Sequence, residues 1–379
     1  MVKDFFKNKR EWSEYKDLIL SYYLTPYLPK VCSLGRSVVV IDCFAGPGRF
    51  EDGKDGSPLI IAKAVSVLAR KNKSVSARFI EERKKYYRKL EANILEFNDF
   101  CEAKPGTFES SVAEIGRLAK NNTVFVYIDP YGIKSLKFSL LASIYRYIQQ
   151  GSSVEVLLNF NSPSFVRNGL ASLKVESLKK MEYDMNDEEL SDIDRTMQPE
   201  DIDEIAGGDY WRAIVRADLS FQEKEKMCVN KYMEEMARYF NGVCSYPIKE
   251  KYSHAVPKYR LIFGSRHPDA LILMNDAVCT ARDDFLMTEV VDGFLFDLRK
   301  DDERHDPLRL KSAIMDTARQ IGTVERKDLI VKTLEMVFGE YKISEHKKKI
   351  SEMLKEGTLF SLSGKSRIND RELLSTKPL

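Results

Sequence analysis

Apolar positions along the chain repeat in two ways: short continuous runs of β-branched residues, separated by longer segments whose apolar side chains return every three or four positions. The first long segment, 12–29 (WSEYKDLILSYYLTPYLP), predicts a leading helix that stops near its two prolines. The run 37–41 (SVVVI) predicts a central strand buried on both faces. Ser57-Pro58, an N-cap followed by proline at the first helical position, opens a helix over 57–71. Residues 77–82 predict a second strand, 83–97 a charged helix, 123–129 a third strand and 153–159 another, whereas a strand near 102–108 is poorly marked. Strands alternating with amphipathic helices build a parallel sheet covered on both faces. The expected fold is therefore α/β, a doubly wound Rossmann-like sheet.

Beyond Asn161 the pattern changes. Residues 162–215 are acidic, helical in tendency and without a strand-like segment, which predicts a helical insertion serving as a lid or cap. A helix over 220–240 returns to the sheet, strands at 243–248 and 259–264 close it, and 267–285 reads as one more helix. The polar stretch KDDERHDP at 300–307 reads as a linker. After it, helical segments at 324–337 and 343–356 and the hairpin-like GTLFSLSGKSRI, turning at Gly364, predict a winged-helix-like domain. The expected division is a main α/β domain over 1–300 and a winged-helix-like domain over 301–379.

Composition narrows the class. At 379 residues the chain exceeds one typical core, and 43% hydrophobic with 31% charged residues is the balance of a globular protein. No apolar run approaches the ~20 residues of a membrane-spanning helix. The opening MVKDFFKNKREWSEYKD is too charged for a secretory signal, so a cytoplasmic protein without a membrane partner is expected. A net charge of +2 provides no global attraction for nucleic acid, although a local basic face is compatible with it. The six cysteines are dispersed without C-x-x-C spacing and accompany only four histidines, so neither a metal site nor a disulfide framework is expected.

Two segments carry chemistry. Asp42-Cys43-Phe44-Ala45-Gly46-Pro47-Gly48 follows an apolar strand, where glycine lets the chain turn sharply and pass close to a ligand that a Cβ would block. Asp42 is placed to hold an ammonium group, and Glu81 and Glu82 end the next strand, where the ribose hydroxyls of a bound nucleoside would lie. G-x-G without a later glycine argues against a pyrophosphate cradle, which ranks nicotinamide cofactors lower. The candidate cofactor is S-adenosylmethionine, on Asp42, Phe44, Ala45, Gly46, Gly48, Glu81 and Glu82. The second segment, Asp129-Pro130-Tyr131-Gly132, ends the strand before it. A carboxylate and a backbone carbonyl there would accept hydrogen bonds from an exocyclic NH2 while the ring stacks on a planar base. That makes Asp129, Pro130 and Tyr131 candidate catalytic residues for methyl transfer to an amine, by positioning rather than through a covalent intermediate. The plainer alternative for each segment is a structural turn.

Other residues are weighed for substrate contact. Arg49 and Ser57 flank the glycine loop, Asn159 and Asn161 end a strand, and His267 follows one as a candidate proton acceptor or, alternatively, a helix cap. Lys347-Lys348-Lys349 either meets phosphates or is a solvated helix face.

The segments VIDCFAGPGRFEDGKDGSPLIIAKA, RFIEERKKYYRKL, FVYIDPYG and YRLIFGSRHPDALILMNDA, in this order, resemble the three-Cys-motif partner proteins (TcmP). The likeness runs over most of the chain, including Lys16 on the leading helix, a further candidate substrate contact. It implies a class I S-adenosylmethionine-dependent methyltransferase fold, cofactor contacts at Asp42, Gly46, Gly48 and Glu81, a reaction-site role for Asp129, and a partner carrying a three-cysteine motif. The loop is similar to the cofactor loops of DNA methyltransferases and the Asp-Pro-Tyr-Gly step to the motif of tRNA guanine-N2 methyltransferases, which implies nucleic acid as a partner and a nucleobase amine as acceptor. Gly106-Thr107-Phe108 departs from the pattern, since relatives place an aspartate after the glycine to contact adenine. The alternative from a different class is a non-catalytic module that binds S-adenosylmethionine or nucleic acid and acts with a partner protein.

Overall fold

In the computed structural model of the chain, residues 6–182, 185–250, 254–291, 306–364 and 368–377 are described. Helix α1 (Glu11–Cys32) leads into β1 (Val38–Asp42), α2 (Ser57–Ala69), β2 (Val75–Glu81), α3 (Lys84–Asn93) and β3 (Cys101–Pro105). Then follow α4 (Phe108–Asn121), β4 (Thr123–Ile128), α5 (Phe138–Gln149) and β5 (Ser153–Phe160). The leading helix continues through Pro26 and Pro29 to Cys32, past the expected stop, although each proline removes an amide donor and crowds the carbonyl four residues before it. β1 and β4 are buried at every position, as strands covered on both faces must be. The weakly marked strand is β3, an edge strand whose side chains are mostly half-buried or exposed, so it carries little apolar signature.

Among the described residues, seven strands form one sheet in the order β3-β2-β1-β4-β5-β7-β6, with β6 at Gly242–Ile248 and β7 at Tyr259–Ser265. β1 to β5 run parallel, and β7 is antiparallel to both β5 and β6. The fold is α/β and doubly wound. Strand order reverses at the β1/β4 boundary, and such a switch point opens a crevice beyond the carboxyl ends of the strands. Register places Asp42 opposite Tyr127, and the Cys43 amide donates to the Tyr127 carbonyl at 2.9 Å. The strand end bearing the glycine turn therefore lies beside the strand end bearing Asp129.

The insertion is helical as expected: α6 (Ser162–Ser172), α7 (Glu176–Met181), α8 (Asp187–Ser191), α9 (Pro199–Ala206) and α10 (Tyr210–Arg216) precede α11 (Phe221–Ala237). It is not a detached lid. Phe165, Ile202, Trp211 and Val215 share one buried core with Ile115, Leu141 and Tyr145 of α4 and α5. The Trp211 indole donates to Asp203 Oδ1 at 2.9 Å, so this aromatic is committed to packing.

The chain divides into two compact units, one of Met1–Asp17 with Leu24–Arg266 and one of Leu18–Tyr23 with His267–Leu379. The boundary thus falls ahead of α12 (Pro268–Val291), earlier than the expected 300–307 linker, which lies largely outside the described residues. Side chains of α12 explain the shift. Buried Asn275 donates to the Tyr341 carbonyl and accepts the Gly339 amide, both at 2.9 Å, while Arg282 donates to the Gly339 and Glu340 carbonyls at 2.7 Å. The second unit continues with α13 (Pro307–Ile321), β8 (Val324–Glu325), α14 (Arg326–Val337), α15 (Ile343–Lys355), β9 (Phe360–Ser361) and β10 (Leu373–Ser375). Its strands pair antiparallel in the order β8-β10-β9. The return strand is therefore later in the chain than GTLFSLSGKSRI implied. Among the described residues no helix is long and apolar enough to cross a membrane.

Candidate active site

Gly46 and Gly48 hold φ of +64° and +80°, the left-handed region that side chains avoid. A Cβ on Gly46 would lie 2.6 Å from the ring of Phe6. The turn is tied to the next strand, because the Gly46 amide donates to Glu81 Oε2 at 2.8 Å and the Arg83 amide to Oε1 at 2.7 Å. Burial raises the pKa of the Glu81 carboxyl, while those two amides pull it back. Asp42 is fully buried beneath the turn. Its Oδ2 accepts the Ser57 hydroxyl at 2.7 Å and its Oδ1 the Phe44 amide at 3.1 Å. Burial pushes the Asp42 carboxyl up to about 7, with those two bonds opposing.

Two hollows open beside this turn and share Phe44 and Tyr131. The larger, about 370 Å³, is lined by the acids Glu81 and Glu82 and by Phe44, Ile80, Thr107 and Phe108. The smaller, about 80 Å³, is lined by Ala45 and Gly48 of the loop, by Arg49 and Ser57 beside it, and by Lys16, Asp129, Pro130 and Asn159. Asp42 and Gly46 line neither hollow, so Asp42 braces the loop from beneath.

Asp129 is the focus of the smaller hollow. Lys16 Nζ donates to its Oδ2, Asn159 Nδ2 donates to its Oδ1 at 2.6 Å, and the Tyr127 hydroxyl reaches Oδ2 at 3.4 Å. The Lys16 side chain is only 5% exposed, whereas that of Asp129 is 21% exposed, so the carboxylate keeps an open side. Neighbouring Asp17 accepts Lys9 Nζ at 2.6 Å, and burial raises its pKa against the pull of Lys9 and Lys16. Tyr131 carries the Arg83 guanidinium 4.8 Å from its ring centre, with the Phe6 ring edge-on at 5.8 Å.

Two expected substrate residues are not brought to Asp129. Asn161 caps α6, its side chain accepting the Ser164 amide at 3.1 Å, and it lines a separate hollow with Arg167 and Glu189. His267 follows β7, which ends at Ser265 beside Glu155 near the amino end of β5, the opposite end of the sheet from Asp129. An antiparallel strand delivers its successor to the wrong edge. The Lys347 and Lys349 ammonium groups are engaged by Asp370 at 3.2 Å and Glu352 at 2.6 Å.

The structure adds Phe6, Trp12, Asp17, Phe108 and Tyr259 to the walls. Trp12, Ser13, Lys16 and Asp17 occupy one face of α1 by helical spacing, a signal that lay in the sequence beside Lys16. Trp12 packs on Tyr259 of β7 with ring centres 5.0 Å apart.

No family profile matches the chain, and no curated protein matches it in sequence. Among solved structures it is similar to WbdD, crystallised with a kinase inhibitor, at 12% identity and TM-score 0.35, over 66% of this chain and 41% of WbdD. The alignment thus spans less than half of that protein. A candidate O-methyltransferase from Klebsiella pneumoniae aligns at 9% identity and TM-score 0.33, over 65% of this chain and 80% of its own. The geranyl diphosphate C-methyltransferase of Streptomyces coelicolor, solved with S-adenosyl-L-homocysteine, aligns at 13% identity and TM-score 0.24, over 64% and 78%. These likenesses assign no activity to this chain.

Proposed function

We propose that the chain is an S-adenosylmethionine-dependent methyltransferase acting on an exocyclic amine of a nucleobase in nucleic acid, in the cytoplasm. The observation that carries this reading is the junction of the two hollows, one suited to a nucleoside and one centred on Asp129, at Phe44 and Tyr131. The larger hollow fits the cofactor. Glu81 and Glu82 stand where ribose hydroxyls would be accepted, and Phe44, Ile80 and Phe108 offer apolar walls to a flat purine. Thr107 replaces the expected aspartate, and its hydroxyl is already the cap of α4, accepting the Ser110 amide at 3.1 Å. Adenine is then held by packing. The strand order also departs from the 3-2-1-4-5-6 order of dinucleotide-binding sheets through the reversed β7, which ranks a nicotinamide cofactor lower.

The bound cofactor supplies an electrophilic methyl group. Asp129 and the Pro130 carbonyl hold the amine, and Lys16 and Asn159 fix the carboxylate that does so. Trp12, Phe50 and Tyr259 narrow the hollow and keep water from the amine. Catalysis is then mainly orientation. In the second unit the order helix, strand, helix, helix, strand, strand supports a winged-helix reading and a nucleic-acid contact there. The loss of the adenine-contact acid at Thr107 favours a second reading, a non-catalytic module acting with a three-cysteine-motif partner.

Calorimetry with S-adenosylmethionine against NAD and ATP, followed by labelled methyl transfer to tRNA, rRNA and duplex DNA, separates these. The expected result is selective S-adenosylmethionine binding, with Asp129→Ala retaining binding and losing transfer. Transfer undiminished in Asp129→Ala removes Asp129 from the reaction, and binding without transfer to any acceptor favours the second reading.

A further inference from the structure

The chain's net charge of +2 hides an uneven distribution. Residues 83–93, α3 with the residue that caps it, carry five cations, Arg83, Lys84, Lys85, Arg88 and Lys89, against one acid, Glu91, so the rest of the chain is net acidic. All five are exposed, while Tyr86 and Leu90 turn the opposite face inward. Of the nearby acids, Glu51 takes Lys89, and Glu81 and Glu82 line the larger hollow. Lys84 and Arg88 stand one turn apart, and neither has an ion-pair or hydrogen-bond partner among the described residues.

This arrangement works against the helix. Like charges four positions apart repel, as Lys84 with Arg88 and Lys85 with Lys89 do, and cations in a first turn oppose the helix dipole. Helices α1, α4, α11 and α14 each place an acid there, and α3 has none. A bound polyanion relieves both repulsions.

The patch abuts the candidate site. The Arg83 guanidinium lies over Tyr131, which is 43% exposed at the junction of the two hollows. On the buried side Tyr86 meets Phe6 edge-on at 4.8 Å, and Phe6 lines the smaller hollow. Cations interleaved with aromatic rings suit a strand whose phosphates meet the former and whose bases stack on the latter. An acidic peptide would use the charges and leave the exposed ring idle.

Resting on the methyltransferase reading above, we infer that the outer face of α3, Lys84 and Arg88 with Arg83 and Lys85 beside them, binds the phosphate backbone of the acceptor nucleic acid and leads it to the smaller hollow. The contact is independent of sequence: α3 positions the strand, and the hollow takes the base.

The test is equilibrium binding of the full chain to a labelled single-stranded oligonucleotide of mixed sequence over a range of salt, for the unaltered protein, Lys84→Gln, Arg88→Gln and Lys71→Gln. Lys71 is exposed near the amino end of β2, whereas α3 begins beyond its carboxyl end, so its loss changes net charge alone. Lys84→Gln and Arg88→Gln are each expected to lower the slope of log affinity against log salt by about 1 and to weaken binding about fivefold at about 0.1 M salt. Lys71→Gln is expected to match the unaltered protein, and S-adenosylmethionine affinity to be the same in all of them. In methyl transfer, KM for the oligonucleotide rises in the two α3 variants while kcat holds. Slopes and affinities of those variants equal to those of Lys71→Gln overturn the inference and leave the methyltransferase reading standing. Displacement of the oligonucleotide by polyglutamate at equal charge concentration assigns the face to an acidic protein and overturns the inference too. Oligonucleotide binding that follows the α3 charges in a chain that binds no S-adenosylmethionine keeps the phosphate contact and overturns the methyltransferase reading.

Discussion

Lys16 and Asp129 lie 113 residues apart in the chain and form an ion pair in the wall of the smaller hollow, with the lysine almost wholly withdrawn from water. Removing one member of a fully buried pair costs about 3–5 kcal/mol, and the open side of Asp129 brings the cost below that here, whereas removing both costs less than the sum. We therefore expect Lys16→Met and Asp129→Asn each to destabilise the protein, and the double variant to recover at least about 1 kcal/mol relative to additivity. Urea unfolding of the four proteins measures this coupling. Additive losses would show that the pair is a coincidence of position.

The glycine turn offers an internal control. Gly35, Gly46 and Gly48 all have positive φ, but a Cβ on Gly35 meets nothing within 4 Å, while one on Gly46 meets the Phe6 ring at 2.6 Å. Gly35→Ala is expected to cost only the backbone strain, about 1–2 kcal/mol. Gly46→Ala adds the displacement of Phe6, and because Gly46 also anchors Glu81, S-adenosylmethionine affinity falls with it. Calorimetry and unfolding on both variants check this, and equal behaviour of the two would deny the turn any special role.

Much of this was legible in the sequence, for physical reasons. Buried parallel strands read as continuous β-branched runs, so β1, β4 and β5 stood out, and the loop and Asp129 could be placed at strand ends. Edge strand β3 lacks that signature. The failures came from long-range geometry. Strand direction decided His267, since nothing in its local sequence says that β7 runs backward. A local cap decided Asn161. Asp42 was expected to face a ligand, and its inward turn depends on Ser57, which only the fold brings beneath it. Phe6 carries no periodic signal, and its role appears only when it lies against Gly46.

The place of α12 rests on Asn275 and Arg282, whose side chains satisfy the backbone of the turn between α14 and α15. Asn275 is completely buried and uses both ends of its amide. Asn275→Ala leaves a buried amide and a buried carbonyl unpaired, and a loss of about 2–4 kcal/mol is expected for the second unit. Hydrogen exchange at Gly339 and its neighbours should accelerate in the variant. Unchanged protection there would assign α12 to the first unit after all.

Asp42 supplies a dependence on pH with a definite sign. Its carboxyl rises on folding from an ordinary 3.8 to about 7 through burial, so the folded protein holds the proton more tightly than the unfolded chain. Between those two values the folded state binds more protons, and stability falls as pH rises. The penalty is absent below about pH 4 and complete above about pH 7, and a shift of this size corresponds to a few kcal/mol. Asp42→Asn keeps an acceptor for the Phe44 amide and removes the titration, so its stability should vary less with pH across that window than that of the unaltered protein. Some slope will persist, because burial also raises the pKa values of Asp17 and Glu81. Urea unfolding of both proteins at intervals across the window measures the difference. Parallel curves for the two would mean that Asp42 stays ionised in the fold, and that a cation reaches it which the Ser57 and Phe44 contacts do not supply.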